Sequence, residues 1–241
     1  MAAFCKTRCL LMMVSALLLT SCALRQPGPL LGDRFPDIKA MTTNGPMVLP
    51  DNYQGRWLLF FSHPGDFTPV CTTEFVAFQQ HLDEFNVINC ELLGLSVDPI
   101  EDHVKWIEWI EDQFDVKITF PIIADPDAKI ARRLGLIHPG RAPVTVRAAY
   151  IVDPNSIVRA IIYYPPELGR STAELFRAVR GLQLGDRYHV SMPGDWPNNS
   201  IIGSDVILKP EFFKAFPEDQ WQPFDCYAEW FCHKQIPEAA K

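Results

Sequence analysis

Trp57-Leu58-Leu59-Phe60-Phe61 is an unbroken apolar run, and it constrains the fold more than any other stretch. A strand with one wet face alternates apolar and polar side chains. A run without polar residues needs cover on both faces, as in a central strand between two helical layers. Leu92 to Val97, closed by Asp98-Pro99, is expected to be a second buried strand. Between the two, Phe75, Phe78, Leu82 and Phe85 recur at helical spacing, which predicts a helix from Val70 to about Phe85. Strand, helix, strand in this order predicts an α/β domain.

The pattern continues. Val104, Ile107 and Ile110 predict a helix over Ile100 to Phe114. Ile118 to Ile123 is strand-like but contains Pro121, so an edge or irregular strand is expected. Asp125-Pro126 is expected to open a helix, with Asp125 as cap and Pro126 in the first position. Val146 to Val152 and Ile157 to Tyr164 are β-rich and joined by Asp153-Pro154-Asn155-Ser156, which reads as a hairpin. Ser171 with Glu174 forms a capping box for a helix to about Leu182. This order is that of a thioredoxin-like fold, a central mixed sheet flanked by helices, over residues 28–184. From 185 to 241 the composition shifts to Pro, Asp, Asn and aromatic residues, a segment too small to bury a core alone. It is expected to pack on the main domain or on a second chain, so an oligomer is anticipated.

Residues 1–22 are unlike the rest. Lys6 and Arg8 precede the apolar run Leu10 to Leu19, and small residues follow, the layout of a secretory signal too short to span a bilayer comfortably. Leu19-Thr20-Ser21-Cys22 also resembles a bacterial lipobox, which would lipidate Cys22 and tether the chain to a membrane; ordinary cleavage after Ala23 is the competing reading. Either places the protein outside the cytoplasm, in the periplasm or cell envelope. A misassigned start would leave it cytoplasmic. The formal charge of -7 argues against nucleic acid as a partner. The seven cysteines are too widely and unevenly spaced for a small disulfide scaffold.

Cys71 stands where a reactive thiol belongs. Ser62 to Glu74 runs from a buried strand through a loop into the first turn of a helix. There, unpaired N–H groups and aligned dipoles stabilise a thiolate, the nucleophilic form. A nucleophile also needs donors around the departing group, and Thr68 with the backbone N–H groups of Val70 and Cys71 is placed to supply them. Pro64 would shape the loop and limit solvent. Cys90, just before a strand, reads as a structural cysteine.

Pro64-x-x-x-Thr68-x-x-Cys71 resembles the active-site signature of peroxiredoxins, and Ser-His-Pro-x-Asp-Phe-Thr-Pro-Val-Cys-Thr-Thr-Glu is similar to the one-Cys branch. The resemblance extends from about Leu30 to Leu208. It implies a thiol-dependent reductase of hydroperoxides without metal or other cofactor. Arg147 would pair with the thiolate, Glu74 would orient that arginine, Arg170 would support both, and His63 would sit beside the thiol. The oxidised sulfur must be reduced by a second thiol. Cys226-Tyr227-Ala228-Glu229-Trp230-Phe231-Cys232 resembles the carboxy-terminal segment of archaeal and bacterial members of the branch. This implies Cys226 as resolver across a homodimer or ring interface, with Cys232 as secondary partner. An external thiol, a local Cys226–Cys232 disulfide and a metal site with His233 are the alternatives. Two rival functions are a thiol-disulfide oxidoreductase, which lacks its first cysteine because Thr68 occupies that position, and a non-enzymatic envelope lipoprotein.

Overall fold

The computed structural model describes residues 28–140, 143–217, 219 and 223–236. The expected leader, with Cys22, lies outside them. In chain order the main sheet uses β1 (Ile38–Thr42), β2 (Gly45–Leu49), β3 (Trp57–Ser62), β4 (Cys90–Ser96), β5 (Ile122–Ala124), β6 (Arg147–Val152) and β7 (Val158–Tyr164). Helices α1 (Pro69–Gln80), α2 (Leu82–Val87), α3 (Ile100–Phe114), α4 (Lys129–Arg133) and α5 (Thr172–Tyr188) connect or follow them. The strand order is β2-β1-β5-β4-β3-β6-β7. β3, β4 and β5 run parallel, and the remaining pairs are antiparallel.

The apolar run behaves as its composition requires. Successive side chains of a strand point to opposite faces. Trp57, Leu59 and Phe61 therefore enter one layer with Phe75, Phe78, Trp106 and Ile110, while Leu58 and Phe60 enter the other with Phe35, Ala131, Leu134 and Tyr150. β3 is buried along its whole length, so its end is a rigid platform for the loop that follows.

Four expectations are corrected. The helix expected from Val70 to Phe85 breaks at His81, where the backbone leaves helical geometry (φ -101°, ψ 6°). Its carbonyl then accepts from Glu84 N and Phe85 N as α2 restarts, so Phe85 still reaches the core. β5 is interior rather than an edge, paired with β4 on one side and β1 on the other. Pro121 precedes the strand, and its carbonyl accepts from Gly94 N at 2.9 Å, so the missing N–H removes no ladder bond. Asp125 does cap a helix, but from a turn away: the chain makes one more turn through Ala128 (φ +53°) before α4 begins at Lys129, and Asp125 Oδ2 accepts from Ala131 N at 2.7 Å. α5 continues past Leu182 to Tyr188 and stops at His189 in the left-handed region. Ser171 Oγ accepts from Glu174 N at 3.3 Å, whereas the Glu174 carboxylate bonds Arg177 instead of returning to the cap.

After α5 come β8 (Val190–Ser191), β9 (Val206–Leu208), α6 (Pro210–Ala215), β10 (Asp225–Ala228) and β11 (Phe231–Lys234). They form a second small sheet, ordered β10-β11-β9-β8, around Leu184, Val190, Trp196, Val206, Leu208 and Phe212. Among the described residues no helix is long and apolar enough to cross a membrane.

Candidate active site

The chain leaves β3 at Ser62 and enters α1 at Pro69, with Thr68 as an extended N-cap (φ -109°, ψ 141°). Proline suits that first position because its absent N–H is one the helix leaves unpaired anyway. Cys71 is thus in the first turn and fully buried. The Thr68 hydroxyl does not cap the helix. It donates to Gly65 O at 2.9 Å, so the expectation that it supplies a donor is corrected: its proton is committed and its oxygen is left as an acceptor.

Three charged side chains meet behind Cys71. Arg147, first residue of β6, donates from Nη1 to Cys71 Sγ at 3.3 Å and to Glu74 Oε2 at 2.6 Å. Glu74 lies three residues after Cys71 on α1. Its Oε2 also accepts from Arg170 Nη2 at 2.7 Å, and its Oε1 from Arg170 Nε at 2.8 Å and Arg170 N at 2.7 Å. The Nη1 of Arg170 donates to Ser62 O and Ala148 O at 2.9 and 2.8 Å, tying the group to β3 and β6. Burial pushes the Glu74 carboxyl up, but the Arg170 hydrogen bonds and charge, with Arg147 behind them, bring it below the usual range. Two guanidiniums and one carboxylate leave one buried positive charge. That surplus sits at hydrogen-bond distance from Sγ and favours an anion there.

A cavity lies beside Arg147. Pro64, His138, Thr145, Arg147, Tyr163 and Pro166 line it, and its volume is about 290 Å³. Pro64 and Arg147 thus share this cavity.

His63 is also fully buried, yet among the described hydrogen bonds none joins it to Cys71. Its Nε2 lies 2.8 Å from Asp66 Oδ1, and its ring stacks on Trp106 at 5.3 Å. Asp66 Oδ2 is 2.6 Å from Nδ1 of His103 on α3. The sequence reading gave neither Asp66 nor His103 a part. Asp66 stood inside the active-site segment and its position three residues after His63 was a usable signal; His103 is 37 residues from Asp66 and carried none. The donor atoms of His63, Asp66 and His103 lie within 4.8 Å of one another, but they are already engaged with each other as hydrogen-bond partners.

The other cysteines separate clearly. Burial pushes the Cys90 thiol up to about 12, consistent with an inert side chain. Cys226 and Cys232 face each other on β10 and β11 and form a disulfide. His233 Nδ1 is 2.7 Å from Asp205 Oδ2, and with both sulfurs bonded to each other the metal alternative has no thiolates to use.

The comparisons with known proteins converge. The AhpC/TSA family model matches residues 31–161. Peroxiredoxins of Archaeoglobus fulgidus and Thermotoga maritima are 52% and 51% identical to this chain, each over 86% of it and over 99% and 98% of their own length. This chain belongs to the peroxiredoxin family. It is similar in structure to peroxiredoxin 6 of Arenicola marina (TM-score 0.77, 30% identity, 88% of this chain and 100% of that one). It is equally similar to a yeast mitochondrial one-Cys peroxiredoxin described with a thiol resolving mechanism via glutathione/thioredoxin systems (TM-score 0.76, 33% identity, 85% and 98%). The expected thioredoxin-like fold stands, as does the assignment as a peroxiredoxin enzyme that reduces peroxide with thiols. Neither rival function is favoured.

Proposed function

We propose that Cys71 is the peroxidatic cysteine and that it reduces hydrogen peroxide and organic hydroperoxides through a sulfenic acid. The observation that carries this is the contact of Cys71 Sγ with Arg147 Nη1 at 3.3 Å, in a buried group with one positive charge to spare. The thiolate attacks the terminal peroxide oxygen, the O–O bond breaks, and sulfur is oxidised to Cys71–SOH while the alkoxide or hydroxide leaves and takes a proton. Arg147 and the first-turn N–H groups stabilise the anion before and after transfer. The Thr68 oxygen accepts the hydroperoxide O–H, and Pro64 shapes the loop. Glu74 and Arg170 hold Arg147 in place.

The sulfenic acid is then reduced. Cys226 of a partner subunit condenses with it, releasing water and forming a mixed disulfide; Cys232 displaces Cys71 and leaves Cys226–Cys232. The pairing of these two sulfurs within one hairpin supports the last step, and the exposed position of Cys226 supports its meeting another chain. The alternative is an external thiol, a thioredoxin-like dithiol or a small thiol such as glutathione, and either can also reduce Cys226–Cys232. A homodimer or larger ring follows from the first route. We further propose export to the periplasm or envelope, with Cys22 as lipid tether; fractionation of the native protein and the mass of its mature amino terminus test this, and an intact leader in the cytoplasm contradicts it.

The test is a peroxide titration of reduced protein on non-reducing gels. Wild type should consume peroxide and form a crosslinked dimer transiently. Cys71→Ser should do neither, and Cys226→Ser should consume one equivalent without crosslinking. Consumption without any dimer in wild type assigns resolution to an external thiol; consumption by Cys71→Ser contradicts the reading.

A further inference from the structure

A buried hydrogen-bonded chain that the sulfur chemistry leaves unused lies against the first turns of α1, the helix that carries Cys71. Asp66 stands between two imidazoles, Oδ1 at 2.8 Å from His63 Nε2 and Oδ2 at 2.6 Å from His103 Nδ1. The far nitrogen of His103, Nε2, is 3.2 Å from the carbonyl oxygen of Ile123. A carbonyl only accepts, so that nitrogen carries a hydrogen. The loop holding Asp66 is fixed as well: Asp66 N donates to Asp98 Oδ2 at 3.0 Å, and Ser96 Oγ donates to the same oxygen at 2.7 Å. At the other end of the chain, His63 Nδ1 is buried with no hydrogen-bond partner.

The hydrogens can be counted. His63 Nδ1 is buried with no acceptor to receive a hydrogen, so the ring keeps one hydrogen for two nitrogens; burial, which holds His63 below the ordinary imidazole range against the Asp66 hydrogen bond, acts in the same direction. Burial also pushes the Asp66 carboxyl up, but hydrogen bonds from His103 and then His63 bring it below its usual range. A carboxylate accepts and does not donate. The single hydrogen of His63 is therefore on Nε2, and Nδ1 is a bare lone pair. The ring lies 4.8 Å from that of Phe75, one helical turn from Cys71 on α1, and is stacked on Trp106, whose Nε1 donates to Thr72 Oγ1 at 3.3 Å. A wrong tautomer would put a hydrogen where the site holds an acceptor and a lone pair against a carboxylate.

We propose that Asp66 and His103 are positioning residues for the peroxidase reaction: they lock His63 as the Nε2–H tautomer and keep an acceptor nitrogen beside the Cys71 turn. His103 serves the lock by holding the carboxylate in place: its Nε2 donates to Ile123 O and its Nδ1 to Asp66 Oδ2, so both of its nitrogens bear hydrogen and Asp66 stays turned toward His63. The substitution Asp66→Asn shows why. With the carboxylate charge gone, His103 gives up its Nδ1 hydrogen to solvent while Nε2 stays bonded to Ile123 O; the new amide can then give its NH₂ to the bare Nδ1 and its oxygen to His63 Nε2–H, preserving the tautomer. Without His103 the amide is free to turn over.

The inference rests on Cys71 as the peroxidatic residue, and the experiment separates the two. Imidazole ¹⁵N shifts of reduced wild type should show His63 with hydrogen on Nε2 only. The rate constant of Cys71 with hydrogen peroxide should fall about tenfold or more in Asp66→Leu and in His103→Phe. Asp66→Asn should recover most of the rate and the wild-type ¹⁵N pattern, and Asp66→Asn combined with His103→Phe should lose both again. Fluorescence and circular dichroism identify any variant that fails to fold; the wild-type tautomer and the Asp66→Asn rescue then decide alone. A His63 with hydrogen on Nδ1, or equal rates in all folded variants while Cys71→Ser is dead, overturns this inference and leaves the peroxidatic role standing. A fully active Cys71→Ser overturns both.

Discussion

The molecule holds its two sites of sulfur chemistry in opposite ways. Cys71 is enclosed, and every charged group around it is bound several times over by β3, β6 and α1. Cys226 is on β10, the exposed edge strand of a small sheet, and Tyr227 and Trp230 beside it are 64% and 82% exposed. A nucleophile that must meet one small molecule in one geometry benefits from rigid charges in a dry site. A sulfur that must meet another protein needs reach. The cost of the first arrangement is that charge, core and catalysis are coupled, whereas the hairpin can change with little effect on the rest.

Acid should expose that coupling most strongly. His63 has its folded pKa lowered, so the unfolded chain binds the extra proton more readily; its contribution to stability is complete above about pH 6.5 and is lost as the pH falls below that. Glu74 and Asp66 are lowered carboxylates, so their contributions are complete above about pH 4 and are lost as the pH falls through their folded values. Tryptophan fluorescence between pH 7 and pH 2 should show the main sheet weakening in two stages. A single transition confined to neutral pH would break this assignment.

Glu74→Gln should come next, destabilising the fold by about 3–5 kcal/mol in urea because two buried guanidiniums lose their counter-charge. Peroxide turnover should fall with it. A loss below about 1 kcal/mol would mean that water reaches the pair and that the site is less enclosed than described. Cys232→Ser should have a smaller and local effect, about 2 kcal/mol for a closed loop this short, seen as faster amide exchange in β10 and β11 with β3 to β6 unchanged. Exchange that rises equally in both sheets would erase the contrast. Ser171→Ala removes one cap and should cost about 1 kcal/mol, shifting the thermal midpoint by a few degrees.

How much was legible in the sequence follows the same division. Features set by local pattern were readable: the apolar run of β3, the bounds of α3, the β6–β7 hairpin and the helix start at Cys71. Features set by partners far along the chain were not. The position of β5 depends on β1 pairing with it from eighty residues away, and the β1–β2 hairpin itself was overlooked although Asn44-Gly45 is a strong turn signal. The pairing of Arg170 with Glu74 rested on family resemblance, because nothing within 96 residues of separation marks it as local. His103 is the clearest case: a histidine on an amphipathic helix looks like any other until Asp66 is seen against it.

The central claim is that Cys71 alone takes the peroxide oxygen, and intact-protein mass spectrometry with site mapping tests it most directly. Reduced protein treated with one equivalent of hydrogen peroxide and a sulfenic acid trap should carry the label at Cys71, with Cys90 untouched, and Cys71→Ser should carry none. Label on Cys90, or peroxide consumed by Cys71→Ser at the wild-type rate, would contradict the account.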